Sequence, residues 1–439
     1  MKAYGGQDYD VEVFKRKEEY EVVRGAHPEV PETFVLKSDC LRRGVTFTVP
    51  AIENLQDPKV VDLAASIEFQ WHQMDHTASY QIPFIFHFAD GTAVGTRVSP
   101  AENDPYIIEL IDGKYYISWG EGEPIKEIFF DGPPEHTGVL LSGGMPAEII
   151  AHYSGDAFYF VPWHHCAYWN KDEQCRFCDL DYFAKHQMKM GKGFKTRQSP
   201  KDLYEVTCLV LKEKGRWSHC FINGGSDFRG EYGRDYEYNI DLVAAVNQAA
   251  KDTLGVDRFP IYMVMAVGDK DQLQRIYDAG VSAFGSYMET WDPEQFKLTC
   301  PGKAGHLGRD RFIERTVAAV EVFGKGNVAM GFVPGVEMAP PPYGFENVDD
   351  ALASTLEGYA FLVENDIVPL GTQWSIEPGT DFYRMGAKQP PLEFFVRLDK
   401  GRYRILKDNE EKKGYGISAD FLCYQCQCWN LYGDYQRLL

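Results

Sequence analysis

The chain has little of what a secreted, membrane-spanning or nucleic-acid-binding protein requires. Its 439 residues contain only 10 cysteines, six of them in two tight clusters, which is not a disulfide scaffold. No apolar run approaches the roughly 18 residues of a membrane span, and the charged segment from Lys2 to Arg24 lacks the apolar centre of a signal peptide. The formal charge of −20 disfavours nucleic acid and anionic membranes as partners. We therefore expect a cytoplasmic protein with reduced thiols, no nucleic acid and no membrane.

One of the two cysteine clusters directly follows an apolar run that predicts a buried strand. Cys166, Cys175 and Cys178 form a C-x8-C-x2-C pattern there. Three thiolates can hold three irons of a [4Fe–4S] cluster and leave the fourth iron open for a small ligand. A structural zinc site, closed by His164 or His165 as the fourth ligand, fits the same residues. This stretch alone does not separate the two alternatives.

The first third of the chain has the pattern of a β-rich domain. After a polar arm at residues 1–37, short alternating runs are separated by turns at Asp90-Gly91 and Asp112-Gly113. Asp-Gly between such runs is typical of antiparallel hairpins. We therefore predict a β-rich accessory domain over residues 1–150.

After Gly155, short apolar strands alternate with helical segments. Ser199-Pro200, for example, places an N-cap serine before a proline at the first helical position. The predicted strands are 157–163, 219–223, 261–267, 282–289, 327–333 and 367–372. Six such units predict the α/β class, with a parallel sheet curled into a partial (β/α)6 barrel over residues 151–385. Residues 386–439 form a C-terminal extension with the second cysteine cluster. In such folds the ligand site lies at the carboxyl ends of the strands.

The residues at the strand ends resemble those of the radical SAM superfamily, and the resemblance covers roughly residues 157–382. An aromatic residue stands between the paired cysteines, a Gly-Gly pair ends the second strand, a carboxylate ends the fourth, and a G-x-V-x-G pattern ends the fifth. These residues are Phe177, Gly224, Gly225, Ser226, Glu289 and Val333, the last within Gly331–Glu337, and Glu377–Thr380 follows the sixth strand. Each element alone is weak evidence. Their order, one at each of several strand ends, favours the cluster over the zinc site.

The resemblance implies both cofactors and the residues that hold them. Cys166, Cys175 and Cys178 would hold a [4Fe–4S] cluster whose open iron binds S-adenosylmethionine. The remaining residues would contact the adenosyl and methionine parts: Phe177 and Val333 the adenine, Gly224, Gly225 and Ser226 the methionine amine, and Glu289 the ribose. An electron donor such as flavodoxin or ferredoxin is implied as a partner.

The implied activity is reductive cleavage of S-adenosylmethionine to a carbon radical, usually the 5′-deoxyadenosyl radical. We expect a small-molecule, biosynthetic substrate. A radical enzyme that modifies a peptide or protein is the alternative within the family, and a non-catalytic zinc-binding protein is the alternative from another class. The sequence carries no glycine-histidine signature of a cobalamin domain.

The chain departs from the usual family pattern at two positions. The first gap of the cysteine loop holds eight residues instead of three, so Ala167–Gln174 is an insert that would form part of the substrate pocket or a lid. A longer loop of this kind costs little closure entropy. Ser226 stands where many members have a glutamate, and because a hydroxyl is a weaker partner for an ammonium group, Asp227 is the alternative contact.

The second cysteine cluster and a basic stretch remain outside this scheme. Cys423, Cys426 and Cys428 either bind a second metal centre, with Cys300 or Cys40 as a further ligand, or serve as redox-active or structural thiols. The basic residues Lys185, Lys189, Lys192, Lys195 and Arg197 follow the cysteine loop. They form either a solvated face or a contact for an anionic substrate or an acidic reductase.

Overall fold

A computed structural model of the chain describes residues 13–56, 82–83, 85–99, 103–154, 156–189, 196–228, 234–377, 379–416 and 438. These residues form two β-sheets with helices packed against both. The chain therefore has the mixed α/β character that the sequence predicts.

The N-terminal sheet is preceded and flanked by helices. The helices are α1 (Val13–Ala26), α2 (Glu32–Arg43) and α3 (Val49–Leu55). The strands are β1 (Val45–Phe47), β2 (Ile85–Phe88), β3 (Ala93–Gly95), β4 (Tyr106–Ile111), β5 (Lys114–Ser118) and β6 (Pro124–Phe129). Their spatial order is β1-β4-β5-β6-β2-β3. The hairpins β2–β3 and β4–β5 are antiparallel, as the Asp-Gly turns predict, whereas β1 runs parallel to β4.

The segment after β3 returns to β1, so that the N-terminal sheet closes into a small barrel. The Val45 N–H donates to the carbonyl of Arg97 at 2.7 Å, and the Ser99 N–H donates to the carbonyl of Val45 at 2.9 Å. Gly44 permits this approach, because an added Cβ would lie 2.1 Å from Oγ of Ser99. The closure leaves no open edge at this junction for a further strand.

For residues 13–37 the prediction of a polar arm is wrong, because α1 and α2 are helices packed on the barrel. Tyr20 and Val23 of α1 belong to the apolar core of this part of the chain. Arg16 is only 1% exposed and donates to the carbonyl of Trp119 at 2.7 Å. In the sequence, a charged residue that is buried through such hydrogen bonds cannot be distinguished from one that faces solvent.

The second sheet has the order β7-β8-β9-β10-β11-β12-β13. Its strands are β7 (His152–Ser154), β8 (Ala157–Phe160), β9 (His219–Asn223), β10 (Ile261–Val264), β11 (Ala283–Glu289), β12 (Val328–Phe332) and β13 (Val368–Gly371). Strands β8 to β13 are parallel, and β7 is antiparallel to β8 at the edge. The six predicted strands are thus all present in a curled half-barrel, up to three residues shorter than predicted.

The helices of the second unit cover the outer face of this sheet and extend beyond it. They are α4 (Leu180–Lys189), α5 (Pro200–Val210), α6 (Arg234–Leu254), α7 (Lys270–Ala279), α8 (Pro293–Thr299), α9 (Pro301–His306), α10 (Arg309–Phe323), α11 (Val348–Glu364), α12 (Asp381–Arg384) and α13 (Leu392–Lys413). The predicted N-cap of α5 is present, since Oγ of Ser199 accepts the Asp202 N–H at 3.1 Å. Leu392 and Val396 of α13 pack into the core of the N-terminal barrel.

Large aromatic side chains fill the inner face of the half-barrel. Tyr262 belongs to the apolar cluster of this face, and the partly buried Tyr287 packs against that cluster. Two glycines make room for them: an added Cβ at Gly331 would lie 2.2 Å from the ring of Tyr287, and one at Gly285 would lie 2.4 Å from Oη of Tyr262. The first glycine of the G-x-V-x-G pattern is therefore required by packing inside the barrel.

Candidate active site

The cysteine loop lies at the carboxyl end of β8, where the loops after the other parallel strands also converge. Two backbone hydrogen bonds join it to the loop after β9. The Ala167 N–H donates to the carbonyl of Ser226 at 2.8 Å, and the Gly225 N–H donates to the carbonyl of Trp163 at 3.0 Å. An added Cβ at Gly225 would lie 1.9 Å from the carbonyl oxygen of His165. Gly225 is thus required for the close approach of the two loops.

The three loop cysteines are half-buried, in no disulfide, and close enough to influence one another electrostatically. Burial raises the pKa of the Cys166 and Cys178 thiols, and the neighbouring Cys175 adds to both shifts. Among the described residues, no group of three or more His, Cys, Asp or Glu side chains could hold a metal ion. The role of the three thiols as ligands of a [4Fe–4S] cluster therefore stays a prediction from their spacing in the sequence.

A fourth cysteine lies next to the loop. Cys300, at the junction of α8 and α9, is fully buried and hydrogen-bonds with the thiol of Cys175. This bond lowers the pKa of Cys175, and Lys303 acts in the same direction against the effect of burial. Cys300 was predicted only as a further ligand of the C-terminal cysteines. The structure places it beside the loop, and the C-terminal cysteines lie outside the described residues.

Lys303 is a site residue that the sequence analysis missed. Its ammonium group forms an ion pair with Glu289 and donates to the carbonyl of Tyr287 at 2.6 Å. Burial alone would lower the pKa of Lys303, but the carboxylate of Glu289, together with the thiols of Cys175 and Cys300, outweighs burial and raises it. The sequence does contain a signal for it: Lys303 lies in the pair of short helices, α8 and α9, that follows the carboxylate at the end of β11.

Glu289 ends β11 with an unusual backbone conformation. Its φ is +79°, and the register between β11 and β12 shifts between Tyr287 and Glu289. The side chain is 7% exposed, and the carbonyl accepts the Val333 N–H at 2.8 Å. A positive φ is costly for a residue with a side chain and persists only where the surroundings impose it. Because of this irregularity, Glu289 departs from the regular pairing of β11 with β12 at the end of the fourth parallel strand.

The residues predicted to flank adenine come together. Val333 lies in an apolar cluster with Trp374 and Phe382, and Phe177 packs against that cluster. The Phe382 N–H donates to the carbonyl of Arg176 at 3.2 Å, which ties α12 to the cysteine loop. The first and fifth strand ends therefore share one apolar surface.

The insert in the cysteine loop is folded against the loops after β9 and β11. It forms a short 3₁₀ helix, Ala167–Lys171, and the Gly302 N–H donates to the carbonyl of Glu173 at 3.0 Å. The ring of Tyr168 lies 4.9 Å from that of Phe228, which lies 4.3 Å from the ring of His306. The insert is thus a packed part of the strand-end face.

Asp227, the alternative to Ser226, is engaged by a cation. It is buried and pairs with Arg197 at 3.0 Å, and the Arg197 guanidinium lies over the rings of Trp163 at 4.6 Å and Tyr238 at 4.7 Å. Burial raises the pKa of the adjacent Asp235 to about 6. A cavity beside these residues is also lined by Gly224, Gly225, Ser226, Asn239 and Met265. The glycine motif therefore borders a cavity with both polar and apolar lining residues.

Several predicted features lie outside the described residues. They are Cys423, Cys426 and Cys428, together with Lys192 and Lys195 of the basic stretch. Of that stretch, Lys185 pairs with Asp181 at 2.5 Å and Arg197 with Asp227, so both described cations serve local ion pairs. Among the helices of the described residues, none combines the length and apolar character that crossing a lipid bilayer requires.

Known proteins show distant similarity to this chain. No family model matches it. Over 333 residues, 71% of the chain and 75% of the relative, it is 21% identical to a bacteriochlorophyllide c C-7(1)-hydroxylase of Chlorobaculum limnaeum. Among solved structures, methylornithine synthase has a TM-score of 0.40 at 19% identity, covering 57% of this chain and 63% of that one. A radical SAM methyltransferase from Sphaerobacter thermophilus has a TM-score of 0.38 at 12% identity, covering 58% and 66%. The chain thus spans less than two thirds of methylornithine synthase.

The half-barrel, the cysteine loop on its first parallel strand and the order of the strand-end residues agree with the sequence resemblance to the radical SAM superfamily. A [4Fe–4S] cluster and S-adenosylmethionine are the cofactors that this resemblance implies.

Proposed function

We propose that the chain cleaves S-adenosylmethionine reductively at a [4Fe–4S] cluster held by Cys166, Cys175 and Cys178. When bound, the cluster supplies one electron to a C–S bond of S-adenosylmethionine, and the product is a carbon radical, in our proposal the 5′-deoxyadenosyl radical. The observation that carries the proposal is the shared apolar cluster of Phe177 and Val333 beside the cysteine loop. It supplies a surface for an adenine ring at the place where the thiols converge.

The neighbouring residues have chemistry that suits the rest of this cofactor. Glu289 offers a carboxylate to the ribose hydroxyls, and the ammonium group of Lys303 pairs with that carboxylate and adds positive charge beside the thiols. Gly224, Gly225 and Ser226 border this cavity and would present backbone groups to the methionine amine. Because Asp227 is already paired with Arg197, we favour these backbone groups over Asp227 as the amine contact.

We further propose a small organic molecule as the substrate. The similarity to a hydroxylase that acts on a bacteriochlorophyllide supports a reaction at a carbon–hydrogen bond of such a molecule. The closed junction between β1 and the segment after β3 removes one place where a peptide would add as a strand, which weighs against peptide modification. An acidic electron donor such as flavodoxin or ferredoxin, and a second metal centre at the C-terminal cysteines, remain proposals from the sequence.

Anaerobic reconstitution followed by metal analysis, visible absorption and mass spectrometry tests this function. We expect four irons per chain at the first site, and 5′-deoxyadenosine once S-adenosylmethionine and dithionite are added. Methylthioadenosine instead would show that a different C–S bond is cleaved. Stoichiometric zinc without iron would replace the enzyme by the non-catalytic zinc-binding protein.

A further inference from the structure

The loop after β13 lies between the cofactor site and the N-terminal barrel. On the side of the cofactor site, Trp374 belongs to the same apolar cluster as Val333, and Ile376 packs against that cluster. The Trp374 N–H also donates to the carbonyl of Pro334 at 2.9 Å. On the other side, the Gln373 side-chain amide donates to the carbonyl of Ser38 in α2 at 2.9 Å. Any displacement of this loop therefore reaches the proposed adenine surface.

Arg97 of the barrel makes the charged contact with this loop. Its guanidinium lies 3.3 Å from the carboxylate of Glu377 and donates to the carbonyl of Ile376 at 3.3 Å. It also donates to the carbonyl of Arg42 in α2 at 3.1 Å. Both side chains of the ion pair are nearly excluded from water, with 3% and 10% of the arginine and glutamate exposed. One side chain thus joins α2, the closing segment of the barrel and the loop after β13.

The backbone of Arg97 is itself held in place by the closure of the barrel. Its carbonyl accepts the Val45 N–H, so Arg97 lies in the segment that completes the circle of strands. A planar guanidinium with fixed donors is suited to holding two carbonyls and a carboxylate in one geometry. Lysine, with a compact ammonium group, would reproduce only part of this arrangement.

We propose that the N-terminal barrel is the scaffold for one wall of the cofactor site, with Arg97 as the positioning residue that fixes the loop after β13 against the Phe177–Val333 cluster. The barrel then has a function that needs neither a ligand nor a partner of its own. The consequence for S-adenosylmethionine rests on the proposed function, whereas the consequence for the loop rests on the contacts alone.

The test compares Arg97→Gln and Arg97→Lys with Arg16→Gln. Arg16 is an equally buried arginine of the same part of the chain, but it donates to the carbonyl of Trp119. Hydrogen exchange is measured in the peptide 370–377 of the protein without cofactor, and the dissociation constant of S-adenosylmethionine is measured in the cluster-loaded protein. Melting temperatures report overall stability.

We expect faster exchange in 370–377 and an about tenfold or greater rise in the dissociation constant for Arg97→Gln, because small displacements of positioning groups are costly. In Arg97→Lys, both the exchange rate and the dissociation constant should lie between the values of the wild type and Arg97→Gln. Arg16→Gln should lower the melting temperature and leave the exchange rate in 370–377 and the dissociation constant unchanged. Equal exchange in the Arg97→Gln and Arg16→Gln proteins would overturn the proposal. If Arg97→Gln does not fold, Glu377→Gln is measured instead and must show the faster exchange. A wild-type protein that binds no S-adenosylmethionine would refute the proposed function, while the exchange result would still decide the role of Arg97.

Discussion

Phe177 of the cysteine loop and Val333 after the fifth parallel strand meet at one apolar cluster at the mouth of the half-barrel. This relationship joins the segment that would hold the iron–sulfur cluster to the segment that would hold the adenine. Because stacking and apolar contacts made by a single aromatic ring contribute about 1 kcal/mol beyond its buried area, the contact can be tested by truncation.

Phe177→Ala should weaken the binding of S-adenosylmethionine by about tenfold or more while the iron content stays at the wild-type level. The ring packs against the adenine surface but supplies no ligand to the cluster. Isothermal titration of the cluster-loaded protein measures the affinity, and metal analysis provides the control. Phe177→Leu keeps much of the apolar area, so its affinity for S-adenosylmethionine should lie between those of the wild type and Phe177→Ala. Loss of iron together with affinity would instead indicate that Phe177 supports the loop as a whole.

Cys175→Ala should lose the first cluster, whereas Cys300→Ala should retain it. Three thiolates satisfy a cluster that leaves one iron open, so the neighbouring thiol of Cys300 is not required. Iron per chain after anaerobic reconstitution measures both effects. Cys220→Ala is the matched control, because Cys220 is equally buried but lies within β9, away from the strand ends. Iron loss in Cys300→Ala would make Cys300 a ligand and contradict the three-thiolate assignment.

The half-barrel could be predicted because its signals are local. Each parallel strand is a short apolar run, and residues such as Ser199 and Gly280 mark the helix ends. The cysteine loop follows β8 directly along the chain, so its place at the strand ends required no knowledge of distant contacts. Strand-end motifs are predictable from sequence for the same reason.

Contacts between distant segments could not be predicted. Cys300 and Lys303 follow the fourth parallel strand, and no local pattern shows that they approach Cys175. The pairing of Val45 with Val98 likewise depends on how the whole barrel closes. Helix α1 was missed for another reason: Arg16 is buried through bonds to backbone carbonyls, and hydropathy treats such a residue as exposed.

Lys303→Gln should lower the free energy of unfolding by about 3 kcal/mol, because it leaves the Glu289 carboxylate buried without its cation. The double variant Lys303→Gln/Glu289→Gln should regain a large part of this loss, since no buried charge is then left unpaired. Urea denaturation of the protein without cofactor measures both variants and the single variant Glu289→Gln, which completes the cycle. Lys270→Gln, which removes one member of an exposed ion pair with Glu321, should leave the free energy of unfolding almost unchanged. An additive double variant would show that the two residues do not interact.

Glu337, just after the fifth parallel strand, should make stability fall as the pH rises from about 4.5 to about 7. The side chain is 1% exposed, accepts the Gly335 N–H at 2.6 Å and bonds with the hydroxyl of Thr355, and Tyr359 is the titratable group facing it from α11.

Burial raises the pKa of Glu337 from 4.5 to about 7. The folded protein therefore keeps a proton that the unfolded chain releases in this range, so its stabilising effect is complete below pH 4.5 and lost as the pH passes 7. Glu337→Gln mimics the protonated form, because its amide can accept from Gly335 and donate to Thr355. The difference in unfolding free energy between wild type and Glu337→Gln should thus decrease by on the order of 3 kcal/mol across this range. Other groups that titrate there, such as Asp235, affect both proteins equally and cancel. Parallel curves for the two proteins between pH 4.5 and 7 would show that Glu337 keeps its charge when buried.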